Sequence, residues 1–339
     1  MRNIRLDAYK GLACIFVVFI HCCFPGVFGT VIKGIARFAV PLFFLISGYF
    51  TICNDKNLIW KVIGKKLKHI AILLAFSSLL WFLYVFVMSC FVGNKIPIVE
   101  FFKQFFAPNN FYTLIVFNNP SGFLGGGGVL WFMFALIYCY AIYGVIVKTN
   151  SYRIAYAFIP ITLIINLLIE HGVIQLADEY NTMYVTNFWV FGYPLFMLGN
   201  LLRRIKEKNK EPKYIYIYIW IFCIIAGLVL SIVECLNWNA ELYIGSILLS
   251  TGLLMFAIDK PNGGSIIRFL SYIGNKLSII VYVIHYMVMV IMDKFIPNTF
   301  GWNGFTQSMV RPVIVLFVTV FIAFVFSYIK DVCGRKTSN

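Results

Sequence analysis

Apolar residues run along this chain in blocks of about twenty, separated by short polar or basic connectors. Neither the period-two alternation of half-buried strands nor the narrow stripe of a soluble amphipathic helix dominates. A helix that crosses a bilayer needs roughly 20 predominantly apolar residues, so the block length itself predicts membrane helices. Ten spans are expected, at about 8–28, 31–52, 69–91, 129–147, 153–170, 185–202, 214–233, 242–258, 271–292 and 313–329. The expected fold is therefore all-α, a polytopic integral membrane protein with about ten transmembrane helices. One membrane domain should fill residues 1–330 and leave 331–339 as a short cytoplasmic tail.

Two connectors exceed a simple turn. Residues 93–128 are rich in aromatics, Asn and Gly and end in the run Gly125, Gly126, Gly127, Gly128; this segment reads as a long non-helical loop that either lines a cavity or lies passively at the headgroup level. Residues 203–213 form a charge run that a solvated connector explains. No internal repeat is evident, which weakens a reading as an inverted-repeat transporter.

Composition supports the same class. Of 339 residues, 61% are hydrophobic and only 12% charged, against about 25% charged in soluble domains. The formal charge of +15 would suit nucleic acid or acidic lipid, but the basic residues sit in the connectors, where they first report topology. With a cytoplasmic N-terminus, one side receives Arg2, Arg5, Lys10, Lys56, Lys61, Lys65, Lys66, Lys68, Lys148 and Arg153, the cluster in 203–213, then Lys260, Arg268, Lys276, Lys330, Arg335 and Lys336. The opposite side holds Lys33, Arg37, Lys95, Lys103, Lys294 and Arg311, so the positive-inside rule predicts both termini in the cytoplasm. The first block runs on to Phe28 without a small-residue cleavage site and is expected to stay as a helix. The nine Cys show no recurrent metal-ligand spacing; those within apolar blocks, Cys14, Cys22, Cys23, Cys90, Cys139 and Cys223, read as packing residues.

Ionisable residues inside spans are costly and are candidates for function. The first span offers Lys10 and His21, the second Arg37 just before Pro41, and the ninth His285. Eleven residues at 100° each return to within about 20° of the same face with a rise of roughly 16 Å, so Lys10 and His21 should look into one groove. Such a separation suits a phosphate-bearing tail at the mouth and a reactive group deeper in. Each residue also has a plainer reading: Lys10 as a snorkelling span end, His21 as an interhelical hydrogen-bonder, and Arg37 as half of a buried ion pair with an acid such as Glu170.

The opening Arg5, Leu6, Asp7, Ala8, Tyr9, Lys10, Gly11, followed by an apolar run to His21, resembles the first span of acyltransferase family 3, the membrane O-acyltransferases. Residues 36–50, with Arg37, Pro41, Phe43, Phe44, Ser47, Gly48 and Tyr49, are similar to that family's second span. Lys65 and Lys68 stand where the family often has R-x-x-R. Leu130, Trp131, Phe132, Met133 resemble its L-W-F-L entry, and the segment from Gly274 through Ser278 and Tyr282 to His285 resembles its final His-bearing span. Lys in place of Arg at Lys10, Lys65 and Lys68 keeps charge but loses the bidentate fork.

The resemblance implies an enzyme that moves an acyl group, with acetyl the expected one, from acyl-CoA to a hydroxyl of a cell-envelope carbohydrate or lipid-linked saccharide. His21 would be catalytic, as base or as carrier of the acyl group, and either role needs a neutral imidazole. Lys10, Lys65 and Lys68 would bind acyl-CoA. Arg37 and Trp131 would serve the acceptor or the transition state, with Tyr282 and His285 supporting them. The expected co-substrate is acyl-CoA, with acetyl-CoA first, and no metal. Expected partners are membrane lipid, the glycan acceptor and envelope glycan-assembly proteins, not nucleic acid; the expected location is the bacterial inner (cytoplasmic) membrane, as a multi-pass protein. The alternatives are a multi-pass transporter of a small polar or anionic solute, or a membrane anchor subunit.

Overall fold

The computed structural model describes residues 2–93, 95–174, 181–209, 214–295 and 304–336. It is 85% helical, with no strand among the described residues. Among the described residues eight helices are long and apolar enough to cross a membrane: Gly26–Tyr49, Ile59–Val92, Gly127–Thr149, Tyr152–Glu170, Thr182–Lys208, Tyr214–Asn237, Ser265–Lys294 and Ser308–Val332. Each corresponds to an expected span. The other two expected spans correspond to α1 (Ile4–His21), which carries three charged residues, Arg5, Asp7 and Lys10, in its first half, and to a shorter apolar helix, Ile244–Asp259.

Several boundaries move for identifiable reasons. The first helix stops at His21 rather than running to Phe28, because Pro25 follows and Gly26 takes a positive φ of 65°. The second span is broken: α2 (Gly26–Ala36) and α3 (Ala39–Tyr49) meet at a turn at Arg37 and Phe38. Pro41 lacks an N–H and its ring crowds the carbonyl four residues back, which is that of Arg37. Residues 93–128, expected as a non-helical loop, instead hold α5 (Ile98–Phe105), α6 (Pro108–Phe117), α7 (Ser121–Leu124) and a 3-10 turn, Gly125–Leu130. They follow α4 (Ile59–Val87) and its terminal π-turn Met88–Val92. Residues 331–336, expected to begin a tail, continue the last helix, and 337–339 lie outside the described residues.

The remaining helices are α8 (Trp131–Thr149), α9 (Tyr152–Glu170), α10 (Asn181–Val185), α11 (Tyr193–Lys208), α12 (Tyr214–Asn237), α13 (Ile244–Asp259), α14 (Ser265–Tyr272), α15 (Ser278–Phe295) and α16 (Gly304–Lys336). A π-turn, Ile273–Leu277, joins α14 to α15. The chain divides into two compact units, residues 1–43 with 209–339 and residues 44–208, with the division falling inside α3.

In the first unit α1 packs on α14 and α15 around Cys14, Val18, Cys22, Ile273, Leu277 and Val281. The approach is backbone to backbone, since a Cβ on Gly274 would lie 1.8 Å from the Asp7 carbonyl oxygen and one on Gly11 would lie 2.3 Å from that of Leu270. In lipid, where apolar side chains gain little from meeting one another, such small-residue contacts are what hold helices together. Buried Glu234 satisfies the start of α13 by accepting from the Ile244 and Gly245 amides at 3.1 and 2.8 Å. In the second unit Asn200 of α11 donates to the Thr51 carbonyl at 2.7 Å, and Asn166 of α9 to that of Val185 at 2.8 Å.

Candidate active site

His21 is the last residue of α1, with Cys22 as its C-cap. Its side chain is accessible, while the ring beside it, His285 of α15, is only 1% exposed. The two imidazole centroids are 5.3 Å apart and tilted by 41°. Tyr286 meets the His21 ring edge-on at 5.3 Å. The first unit thus brings an open imidazole against a buried one.

The state of His285 follows from its partners. Its Nδ1 lies 2.7 Å from the Tyr282 carbonyl and 3.1 Å from that of Val281. A carbonyl oxygen only accepts, so Nδ1 carries the proton and Nε2 is left as the acceptor nitrogen. That Nε2 is buried and has no hydrogen-bond partner among the described residues, so a buried acceptor sits next to His21. Tyr282 supports His285 through its backbone carbonyl as well as by a ring contact at 6.1 Å.

Arg37 stands at the break between α2 and α3 and is 5% exposed. Its guanidinium forms a bidentate pair with Glu241, both contacts at 2.5 Å, so its acid partner is Glu241 rather than Glu170. Lys33 donates to Asn239 at 3.2 Å. Both cations lie within electrostatic reach of the His21 ring.

Toward the start of α1, Asp7 gathers the basic residues. Arg2 donates through Nε at 2.6 Å and Lys10 through Nζ at 3.3 Å. Lys10 is therefore an ion-paired residue one helical turn from Asp7, and about 16 Å of helix separates it from His21. The i, i+3 spacing of Asp7 and Lys10 was visible in the sequence and is the signal that reading missed.

Lys65, Lys68 and Trp131 belong to the second unit. Lys65 and Lys68 are exposed on α4. The lysine that turns inward is Lys66, which donates to the Thr51 hydroxyl at 2.6 Å and the Phe50 carbonyl at 3.0 Å and lies 5.4 Å from the Tyr140 ring centre. Trp131 is half-buried, edge-on to Phe191 at 5.4 Å and 6.1 Å from Phe44, and its carbonyl accepts from Asn118. Among the described residues no group of three or more His, Cys, Asp or Glu could hold a metal ion.

An acyltransferase-domain family, acyltransferase family 3, matches residues 3–328. The chain belongs to that family. It is accordingly a membrane acyltransferase, and the match takes in both units and every candidate residue named above. Neither a curated protein nor a solved structure matches the chain.

Proposed function

We propose that this acyltransferase takes an acyl group, acetyl in the first instance, from acyl-CoA on the cytoplasmic side of the bacterial inner membrane. It passes the group to a hydroxyl of a cell-envelope carbohydrate or lipid-linked saccharide. The observation that carries the proposal is the accessible His21 imidazole standing against the buried acceptor nitrogen of His285. Family membership supplies the acyltransferase class.

The chemistry starts at His21. A neutral imidazole nitrogen takes the proton of the acceptor hydroxyl as its oxygen attacks the thioester carbonyl. The C–S bond of the tetrahedral intermediate then breaks, and the imidazolium returns the proton to the departing CoA sulfur, leaving an O-acyl ester and free CoA thiol. His285 Nε2 is suited to accept an N–H from His21, which fixes the tautomer with its other nitrogen free to act as base. Lys33, and Arg37 to the extent that Glu241 leaves its charge uncompensated, would supply positive potential near His21 for the developing oxyanion. Lys10 completes the donor side from the other end of α1. Lys65 and Lys68 remain donor candidates, and Trp131 an acceptor candidate, on the strength of the family resemblance alone. Both termini are cytoplasmic in this reading.

The test is transfer of radiolabelled acetyl from acetyl-CoA into envelope carbohydrate by membranes containing the protein. Label in an alkali-labile ester is the expected result; label that remains in acetyl-CoA with every envelope fraction offered would overturn the reading.

A further inference from the structure

At the end of the first unit remote from His21 lies a cavity of about 300 Å³ lined by Arg2, Ile4, Arg268, Ser271, Tyr272, Asn275 and Lys276. Three of these are cations. Arg2 reaches across from the start of α1 to hydrogen-bond the Ser271 hydroxyl and carbonyl at 3.2 and 3.3 Å, which fixes one wall. The opposite wall is the π-turn Ile273–Leu277, whose wider winding presents Asn275 and Lys276 at the exposed surface. Single π-turns of this kind recur where a helix has been reshaped for function.

The cavity lining holds no carboxylate among the described residues. Asp7 faces Arg2 and shares itself with Lys10, and Asp331 of α16 pairs with Lys276 at 2.9 Å. Among the described residues, four cations, Arg2, Lys10, Arg268 and Lys276, stand against these two carboxylates. The Lys276 pair is solvent-exposed on both sides, 43% and 49%, and exposed pairs hold weakly enough for a competing anion to enter.

Helix geometry links this cavity to the chemistry. From Asn275, within the π-turn, to Tyr286 is eleven residues, somewhat under about 16 Å of rise because the π-turn is wound more widely, along roughly one face, and the same residue interval separates Lys10 from His21. Tyr286 is the residue whose ring meets His21. Exposed Ile279 stands on that face between them. Two neighbouring helices, α1 and α14–α15, thus each carry basic or polar groups at one end and the His21 cluster about 16 Å along.

We propose that this cavity is a phosphate subsite of the donor, in which Arg268 and Lys276 grip a phosphate of acyl-CoA while the thioester arm runs along the Asn275–Tyr286 face to His21. This rests on the acyl-CoA reading above. Arg268 supplies a forked donor set and Lys276 a point charge, the combination that suits a terminal phosphate. The same phosphate chemistry is offered by an anionic lipid headgroup, so the test has an arm for each source.

Wild-type protein, Arg268→Gln and the double variant Arg268→Gln/Lys276→Gln are placed in phosphatidylcholine nanodiscs, and binding of CoA and of dephospho-CoA is measured by calorimetry. The expected result is about 10- to 100-fold weaker CoA binding for the single variant and a larger loss for the double, the range for removal of a hydrogen bond to a charged group. Dephospho-CoA, lacking the 3′-phosphate, should be far less affected by either substitution. Thermal stabilisation by added phosphatidylglycerol is measured in parallel. Equal CoA affinity in all three proteins overturns the subsite, and if the variants also lose the phosphatidylglycerol stabilisation, the cavity belongs to lipid. A wild-type protein that binds no CoA at all overturns the acyl-CoA reading itself, a different outcome from tight binding that ignores Arg268 and Lys276.

Discussion

Removing the acid from the Arg37–Glu241 pair is the perturbation whose magnitude the structure defines best. Arg37 is 5% exposed and Glu241 31%, and the two meet through a bidentate contact. Stripping a buried cation of its partner costs about 3–5 kcal/mol, because the charge stays behind without compensation. Glu241 is open enough for water to replace it in part, so Glu241→Gln should fall at the lower end, about 3 kcal/mol. At roughly 2–4 °C per kcal/mol for domains of 150–250 residues, the melting midpoint should drop by about 6 °C or more. An internal control exists in Arg311–Asp293, the same chemistry at 38% and 42% exposure. Asp293→Asn should cost less than about 1 kcal/mol. Both variants and the double replacement Arg37→Met/Glu241→Leu are melted in one detergent at one scan rate, since unfolding of such proteins is commonly irreversible. The double replacement should regain most of the loss, because it leaves no unpaired charge. A Glu241→Gln midpoint no lower than that of Asp293→Asn would refute the reasoning.

Further outcomes are expected. With both termini cytoplasmic, a cysteine introduced as Tyr112→Cys in α6 should label from outside intact cells and Lys208→Cys should not; the reverse pattern would invert the topology. Lys10→Gln should weaken apparent acyl-CoA affinity by about tenfold, the low end for a charged hydrogen bond because Asp7 already shares the ammonium, while Lys10→Arg should preserve it. Equal saturation curves for Lys10→Gln and wild type would leave Lys10 as an Asp7 partner alone.

The spans were legible because block length and apolarity are local properties of the chain. All ten expected blocks have helical counterparts among the described residues, eight of them long and apolar enough to cross a bilayer. The break at Arg37 was implicit in Pro41, four residues on, and the end of α1 in Pro25 and Gly26. The helices between 93 and 128 were obscured by their Gly and Asn content. Partnerships across long sequence distances were not legible: Glu241 is 204 residues from Arg37, and nothing in either segment names the other. Tyr286 reads as one more aromatic in an apolar span until packing sets it against His21. Lys65, Lys66 and Lys68 differ mainly in helical phase, so only packing decides that Lys66 turns toward Thr51.

The central claim, that His21 is the base for acyl transfer, is tested most directly by the rate of acetyl transfer from saturating acetyl-CoA by His21→Ala at matched membrane levels. The account predicts a fall of about 10²–10⁴-fold with acetyl-CoA binding retained, the usual contribution of a positioned base. A variant that keeps more than about a tenth of the wild-type rate, a loss of under 1.4 kcal/mol in transition-state stabilisation, would contradict it.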